Sequence, residues 1–486
     1  MRLRRTLLTL ALAAAVFGAA ASAQTPADRV DPFIGTTNFG TANPGAVTPH
    51  GMMSVVPFNV MGSEENVYDK DARWWSTPYE YHNKFFTGFA HGALSGVGCP
   101  ELGALLTMAT TGPLTVDYRE YGTSYRDEKA SPGYYSVFLD KYGVLAEATA
   151  TARTSAERYT FPEGTGHILL NLGEGLTNES GAMVRRVSAT EIEGTKLLGT
   201  FCYNAQKVFP VYFVLRVSKT PSAGGYWKKQ RKMTGVEAEW TPDNGRYKLY
   251  TEYGRELSGD DVGYWFSFDG LAAGEQVEVR MGISYVSTEN ARKNLDAEQA
   301  ADAPFDAIRE QARKGWNEAL GRIRVEGGTE EQQRVFYTAL YHALLHPNLV
   351  SDVNGEYPLM ERSGETGVTD GERYTVFSLW DTCRNQQQQE AAKMEEQDNI
   401  IELIDDETGA PIRFQHLATI EHEGELYIAL SEADAPEDGQ CEVFIMQVAQ
   451  EEDGTESYIQ VEDEAVQQAV FDKFLQLVNE GSGDDE

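Results

Sequence analysis

Cysteine is scarce in this chain. Its 486 residues hold four, Cys99, Cys202, Cys383 and Cys441, each far from the next. No pair has the short spacing of a zinc or redox site, so the expectation is buried or half-buried free thiols. Long apolar runs are equally rare: after residues 7–20 no stretch is long and apolar enough to span a bilayer. Clustered positive charge is rare too. Lys228-Lys229-Gln230-Arg231-Lys232 is the only basic run and reads as a solvated loop. A nucleic-acid partner is therefore excluded, because neutralising phosphates needs grouped Lys and Arg.

Basic residues nearly vanish from the last fifth. Residues 390–486 hold 28 acidic and 3 basic side chains, net −25 of the chain's −34, while residues 1–389 keep 47 acids and 38 bases. So abrupt a change marks separate units. It follows Gln386-Gln387-Gln388-Gln389-Glu390-Ala391-Ala392-Lys393, and residues 386–393 are read as the junction.

At the other end, Arg2, Arg4 and Arg5 precede the short apolar run, and Ala21-Ser22-Ala23 offers a small-residue cleavage site. This is the pattern of a secretory signal peptide, residues 1–23, and predicts a secreted or periplasmic protein beginning at Gln24. No cysteine follows the site, so lipidation is not expected.

From Asp31 to about Ser287, short alternating segments are punctuated by turns such as Pro162-Glu163-Gly164-Thr165-Gly166. Ala156–Phe161, His167–Leu172, Val211–Val217, Arg246–Tyr250 and Gln276–Tyr285 are read as strands. Residues 24–287 are thus expected to form an antiparallel β-sandwich. Residues 288–385 turn helical, with helices over 289–301, 304–321 and 330–345 and a brief strand-like Ile323-Arg324-Val325. Thr329 with Gln332 is a capping box, and His346-Pro347 ends the last helix. That helix carries Phe336, Leu340, Tyr341, Leu344 and Leu345 on one side, a face one helix cannot bury alone. Residues 394–486 predict a small acidic α+β domain: strands at 400–404, 412–420, 425–430 and 441–448, then an amphipathic helix over 465–479.

Two constellations could carry chemistry. One runs from Gly35-Thr36-Thr37-Asn38-Phe39-Gly40 through Asn43-Pro44-Gly45-Ala46 to Pro49-His50-Gly51-Met52 and Val56-Pro57-Phe58. The other runs from Trp74-Trp75-Ser76-Thr77 to Thr87-Gly88-Phe89-Ala90-His91-Gly92-Ala93-Leu94-Ser95-Gly96-Val97-Gly98-Cys99. Glycine permits close backbone approach, and flat indoles beside histidine suit sugars. A Gly-rich strand edge with buried tryptophans would explain the same residues.

The order of these motifs, followed by Phe336-Tyr337-Thr338-Ala339-Leu340-Tyr341-His342 and Phe377-Ser378-Leu379-Trp380-Asp381-Thr382-Cys383-Arg384, resembles glycoside hydrolase family 92 over residues 29–385. The resemblance implies an exported, calcium-dependent, inverting α-mannosidase: a β-sandwich followed by an (α/α)6 barrel, acting on terminal α-mannosides in mannose-containing glycans. It implies that Trp380, Asp381 and Arg384 line the terminal-mannose subsite, with Trp74 or Trp75 and His91 on sandwich loops facing the cleft. Cys383 stands where the family has Tyr. The family's acid, base and most calcium ligands come from later barrel segments with Glu-Gly-Asn and Gly-Asn-Asp-Asp motifs, and neither motif occurs here. Without them, no catalytic pair spaced to admit water is expected, nor mannosidase activity or bound calcium.

The tail, through Asp398-Asn399-Ile400-Ile401-Glu402-Leu403-Ile404-Asp405-Asp406-Glu407-Thr408-Gly409, resembles domain of unknown function 1292, whose members are short, acidic and cytosolic. The expected whole is a truncated mannosidase fused to a stranger's domain, by rearrangement or gene misassembly. Two other readings stand beside it: a non-catalytic carbohydrate-binding sandwich, and an acidic interaction module at the C-terminus.

Overall fold

Alternation of apolar and polar residues builds the first part of the computed structural model. In the strand Glu275–Ser284, Val277, Val279, Met281 and Ile283 point inward and are at most 1 % exposed. Glu278 and Arg280 lie between them on the outer face, the two-residue period of a half-buried strand. Described are residues 24–37, 40–60, 76–98, 102–176, 181–200, 204–229, 247–251, 256–359, 364–375, 400–404, 411–422, 424–432, 443–450, 456–461 and 463–481. They divide into two compact units, 1–381 and 382–486.

Two antiparallel sheets make the larger unit. An eight-stranded sheet centres on Ala104–Thr111, Gly164–Asn171 and Val262–Leu271; a ten-stranded sheet centres on Val144–Ala150, Thr154–Phe161 and Glu275–Ser284. The chain changes sheet between Phe161 and Gly164. Their inner faces share one core, in which Met108, Ile168 and Phe266 from the first sheet meet Tyr135, Tyr159 and Val277 from the second. Each such burial contributes about 1.5–3 kcal/mol. This is the expected sandwich, two sheets packed face to face over one core.

The helix Thr288–Glu298 lies on the second sheet. Ser287 caps it by accepting from Asn290 N, and Ala291 and Leu295 pack on Val214. Gly282 lets it sit that close: a Cβ there would meet Ala291 O at 2.4 Å and Leu295 Cβ at 2.8 Å. Arg292 then pins the helix to Glu191 at 2.5 Å and to Glu193 at 2.5 Å.

Phe305–Leu320 and Glu330–Ala343 follow. The capping box forms: Gln332 N donates to Thr329 Oγ1 at 3.2 Å and Thr329 N donates to Gln332 Oε1 at 2.8 Å. The apolar side of this helix finds partners, with Phe336, Leu340 and Leu344 partly buried. Tyr337, Tyr341 and Leu345 pack with Trp316, Leu320, Val47 and the N-terminal turn at Ala27 and Val30. A segment some 300 positions away in sequence closes the face, and local pattern could not show it. Ile323-Arg324-Val325 joins no sheet, a correction, and Lys228 and Lys229 end the strand Ala223–Lys229 rather than lie in a loop.

In the smaller unit five strands, Ile400–Ile404, Pro411–His422, Glu425–Glu432, Val443–Gln450 and Glu456–Gln460, pair in sequence order as an antiparallel meander. The helix Glu464–Gly481 covers one face, with Val470 and Phe474 against Ile420, Tyr427, Ala429 and Ile445. The expected α+β domain is present, with a fifth strand not read from sequence. Among the described residues no helix is long and apolar enough to cross a membrane.

Candidate functional site

Both motif runs contribute residues, Asn43, Gly51 and Met52 from the first and Gly92–Ser95 from the second, to one seam between the sandwich and the helix Glu330–Ala343. Asn43 organises its first side: its Nδ2 donates to Leu94 O at 2.9 Å and to Thr77 Oγ1 at 3.3 Å, and its backbone N donates to Ser95 Oγ at 3.1 Å. From the helical side, His346 Nε2 meets Ser95 O at 2.6 Å while its Nδ1 meets Asn348 Oδ1 at 2.8 Å. Asn348 Nδ2 donates to Gly51 O at 2.9 Å, and Asn348 and Thr375 exchange two further bonds, at 3.0 and 2.8 Å. A small cavity of about 20 Å³, room for roughly one water, lies between Asn43, Ser54, Ser95, Tyr341, His346 and Asn348.

The backbone here is bent to fit. His50 has φ 55°, a left-handed conformation uncommon outside glycine. It is held by His50 N donating to Leu344 O at 3.0 Å and Leu349 N donating to His50 O at 2.8 Å. Burial pushes the His50 imidazole below its ordinary range, and it lowers His342 to about 4. His342 Nε2 and Tyr341 Oη are buried without a hydrogen-bond partner.

Of the residues singled out from sequence, Trp74, Trp75, Trp380, Asp381 and Arg384 lie outside the described residues, as do all four cysteines. Described residues near the tryptophans in sequence are in the seam: Thr77 on Asn43, Thr375 on Asn348. His91 is a correction. It closes the strand Gly88–His91 with its side chain fully buried, not on a loop facing a cleft. Its Nε2 lies 2.7 Å from Glu157 Oε1 and its Nδ1 2.6 Å from Leu105 O, while Thr107 and Tyr159 donate to the other Glu157 oxygen. The reason is strand parity: His91 shares the inward side with Phe89, and only after it does the chain, at Gly92–Ser95, reach the cavity. Sequence reasoning gave His346 and Asn348 no site role; the polar residues flanking the helix-ending Pro347 were their only signal. No three His, Cys, Asp or Glu side chains converge as a metal set among the described residues.

Residues 29–284 match the glycosyl hydrolase family 92 N-terminal domain. The chain belongs to glycosyl hydrolase family 92. Residues 290–404 match the family's catalytic domain. The fold is similar to the family GH92 alpha-mannosidase BT3965 of Bacteroides thetaiotaomicron, with TM-score 0.63 and 27 % identity, covering 78 % of this chain and 47 % of that one. That enzyme is also known in complex with mannoimidazole. A second family structure, ccman5, gives TM-score 0.61 at 28 % identity over 73 % of this chain and 45 % of its own. An uncharacterized secreted glycosidase of Arthroderma benhamiae is 26 % identical over 356 residues, 68 % of this chain and 42 % of the relative. The chain thus spans less than half the length of these relatives.

Residues 407–479 match the protein family of unknown function DUF1292. A UPF0473 protein of Heliobacterium modesticaldum is 36 % identical over 92 residues, 98 % of its own length and 19 % of this chain. The tail belongs to that family. The catalytic-domain match runs through Ile400–Ile404, yet that strand pairs residue by residue with Pro411–His422, so it is part of the tail sheet.

Proposed function

We propose that this chain derives from an exported family 92 α-mannosidase, retains its mannoside-directed half and does not hydrolyse mannosides. The observation that carries this reading is internal to the chain: family 92 likeness over residues 29–284 and 290–404 gives way to a different family at residue 407. Inverting hydrolysis needs an acid and a base about 6.5–9.5 Å apart with a water between them. Among the described residues the seam presents amides and hydroxyls, with His50 and His346 bonded to backbone carbonyls, an array suited to holding hydroxyl-rich ligands. In this reading Trp380, Asp381 and Arg384 take the terminal mannose and Trp74 or Trp75 stacks on it. Calcium belongs to the part of the family fold that this chain replaces with the tail. Export rests on the residues 1–23 pattern together with the secreted relative.

The test is hydrolysis of α-1,2-mannobiose with added calcium, beside calorimetry with mannoimidazole. The expected result is no turnover, with weak binding abolished by Asp381→Ala. Calcium-dependent release of mannose would sink the proposal.

A further inference from the structure

We infer that the seam cavity is the binding site of a single ordered water, which joins the helical side of the seam to the sandwich side. At about 20 Å³ the cavity has room for one water and for no larger ligand. Its wall is polar from both directions, with Asn43, Ser54 and Ser95 on the sandwich and Tyr341, His346 and Asn348 opposite. Tyr341 is 0 % exposed, and its Oη has no hydrogen-bond partner among the described residues. A buried hydroxyl left unbonded carries its full desolvation cost, and folded proteins settle such groups with ordered water.

Donors and acceptors around the cavity single out the water's partners. Asn43 has committed both amide protons, to Leu94 O and Thr77 Oγ1, and its Oδ1 accepts from Gly45 N at 3.2 Å. His346 uses both ring nitrogens, on Ser95 O and Asn348 Oδ1, and Asn348 Nδ2 reaches Gly51 O. Three hydroxyls remain. Ser54 Oγ donates to Ala93 O at 2.7 Å and keeps a lone pair to accept with. Ser95 Oγ accepts from Asn43 N at 3.1 Å, which leaves its own proton to donate. The Tyr341 hydroxyl is wholly unused. A water that accepts from Tyr341 and Ser95 and donates to Ser54 makes three bonds, the usual number for a buried one. Trp316 holds the phenol in place, its ring centroid 4.4 Å from that of Tyr341 and its Nε1 donating to Val47 O at 2.6 Å. This inference is independent of the mannoside reading.

The test is Tyr341→Phe in the full chain, with urea unfolding followed by tryptophan fluorescence. Phe keeps the ring stack and removes only the hydroxyl. If that hydroxyl faced a dry cavity the variant would be more stable than the parent; bonded to water, its loss makes the variant less stable. The expected outcome is a midpoint lower by about 0.2–0.4 M. Ser95→Ala should lower the midpoint too, and the double variant should lose less than the sum of the two, because both side chains bond one water. A midpoint unchanged or raised in Tyr341→Phe overturns the proposal, and so do strictly additive losses. A crystal structure of the full chain should show one water within about 3.2 Å of Tyr341 Oη. An empty cavity there, or a direct hydrogen bond between Tyr341 and Ser95, overturns it as well.

Discussion

The imidazole of His91 has an acceptor at each nitrogen, Leu105 O and a Glu157 oxygen, and both side chains are fully buried. A neutral ring carries one N–H, so the second contact demands a proton shared with or held against Glu157. Glu157→Gln should cost about 3 kcal/mol in urea unfolding at pH 7, the scale of breaking a buried charge pair. A loss under about 1 kcal/mol would mean an ordinary neutral hydrogen bond. His342 makes the complementary case. Burial lowers its folded-state pKa to about 4 from 6.5, so the folded protein resists the proton that the unfolded chain takes up. Stability from this group is complete above pH 6.5 and falls as the pH drops towards 4, by up to roughly 3 kcal/mol in all. His342→Phe should flatten the urea midpoint between pH 6.5 and 4.5 relative to the parent. An identical slope in the variant would place the acid sensitivity elsewhere, with His50 the next group to test.

Elements were legible where a single period governed them. The strand Glu275–Ser284 and the capped helix at Thr329 follow from alternation and spacing alone. Pairing across long separations was not. Nothing local tells that Ala27 and Val30 will cover the helix Glu330–Ala343, or that His91 will turn inward where Ser95 turns to the cavity. The match between Gly282 and its helix is likewise invisible in sequence, yet it sets a sharp test. Gly282→Ala should lift Thr288–Glu298 off the sheet and cost about 1–3 kcal/mol, as overpacking does. Gly315, inside Phe305–Leu320, has open space where its Cβ would be, and Gly315→Ala should gain about 0.5–1 kcal/mol from helix propensity. Opposite signs from one chemical change would separate packing from backbone preference. If both destabilise, the helices are held by something other than these contacts.

At the scale of the whole molecule, each unit has its own core, the sandwich around residues such as Tyr159 and Phe266, the tail around Ile420, Ala429 and Phe474. Cores that share no residue need not melt together, and multidomain chains depart from two-state unfolding for this reason. The chain carries a ready reporter: all seven tryptophans lie at or before Trp380 and none in the tail. Tryptophan fluorescence therefore follows the sandwich unit alone, while far-ultraviolet circular dichroism sees both. Phe474→Ala should open a cavity under the tail helix and cost about 3–5 kcal/mol there. The expected result is an early circular-dichroism transition that moves to lower denaturant in Phe474→Ala, with the fluorescence midpoint unchanged. A fluorescence midpoint that shifts with it would show the two units folding as one. The tail would then be a structural part of the family 92 half, and not a domain carried beside it.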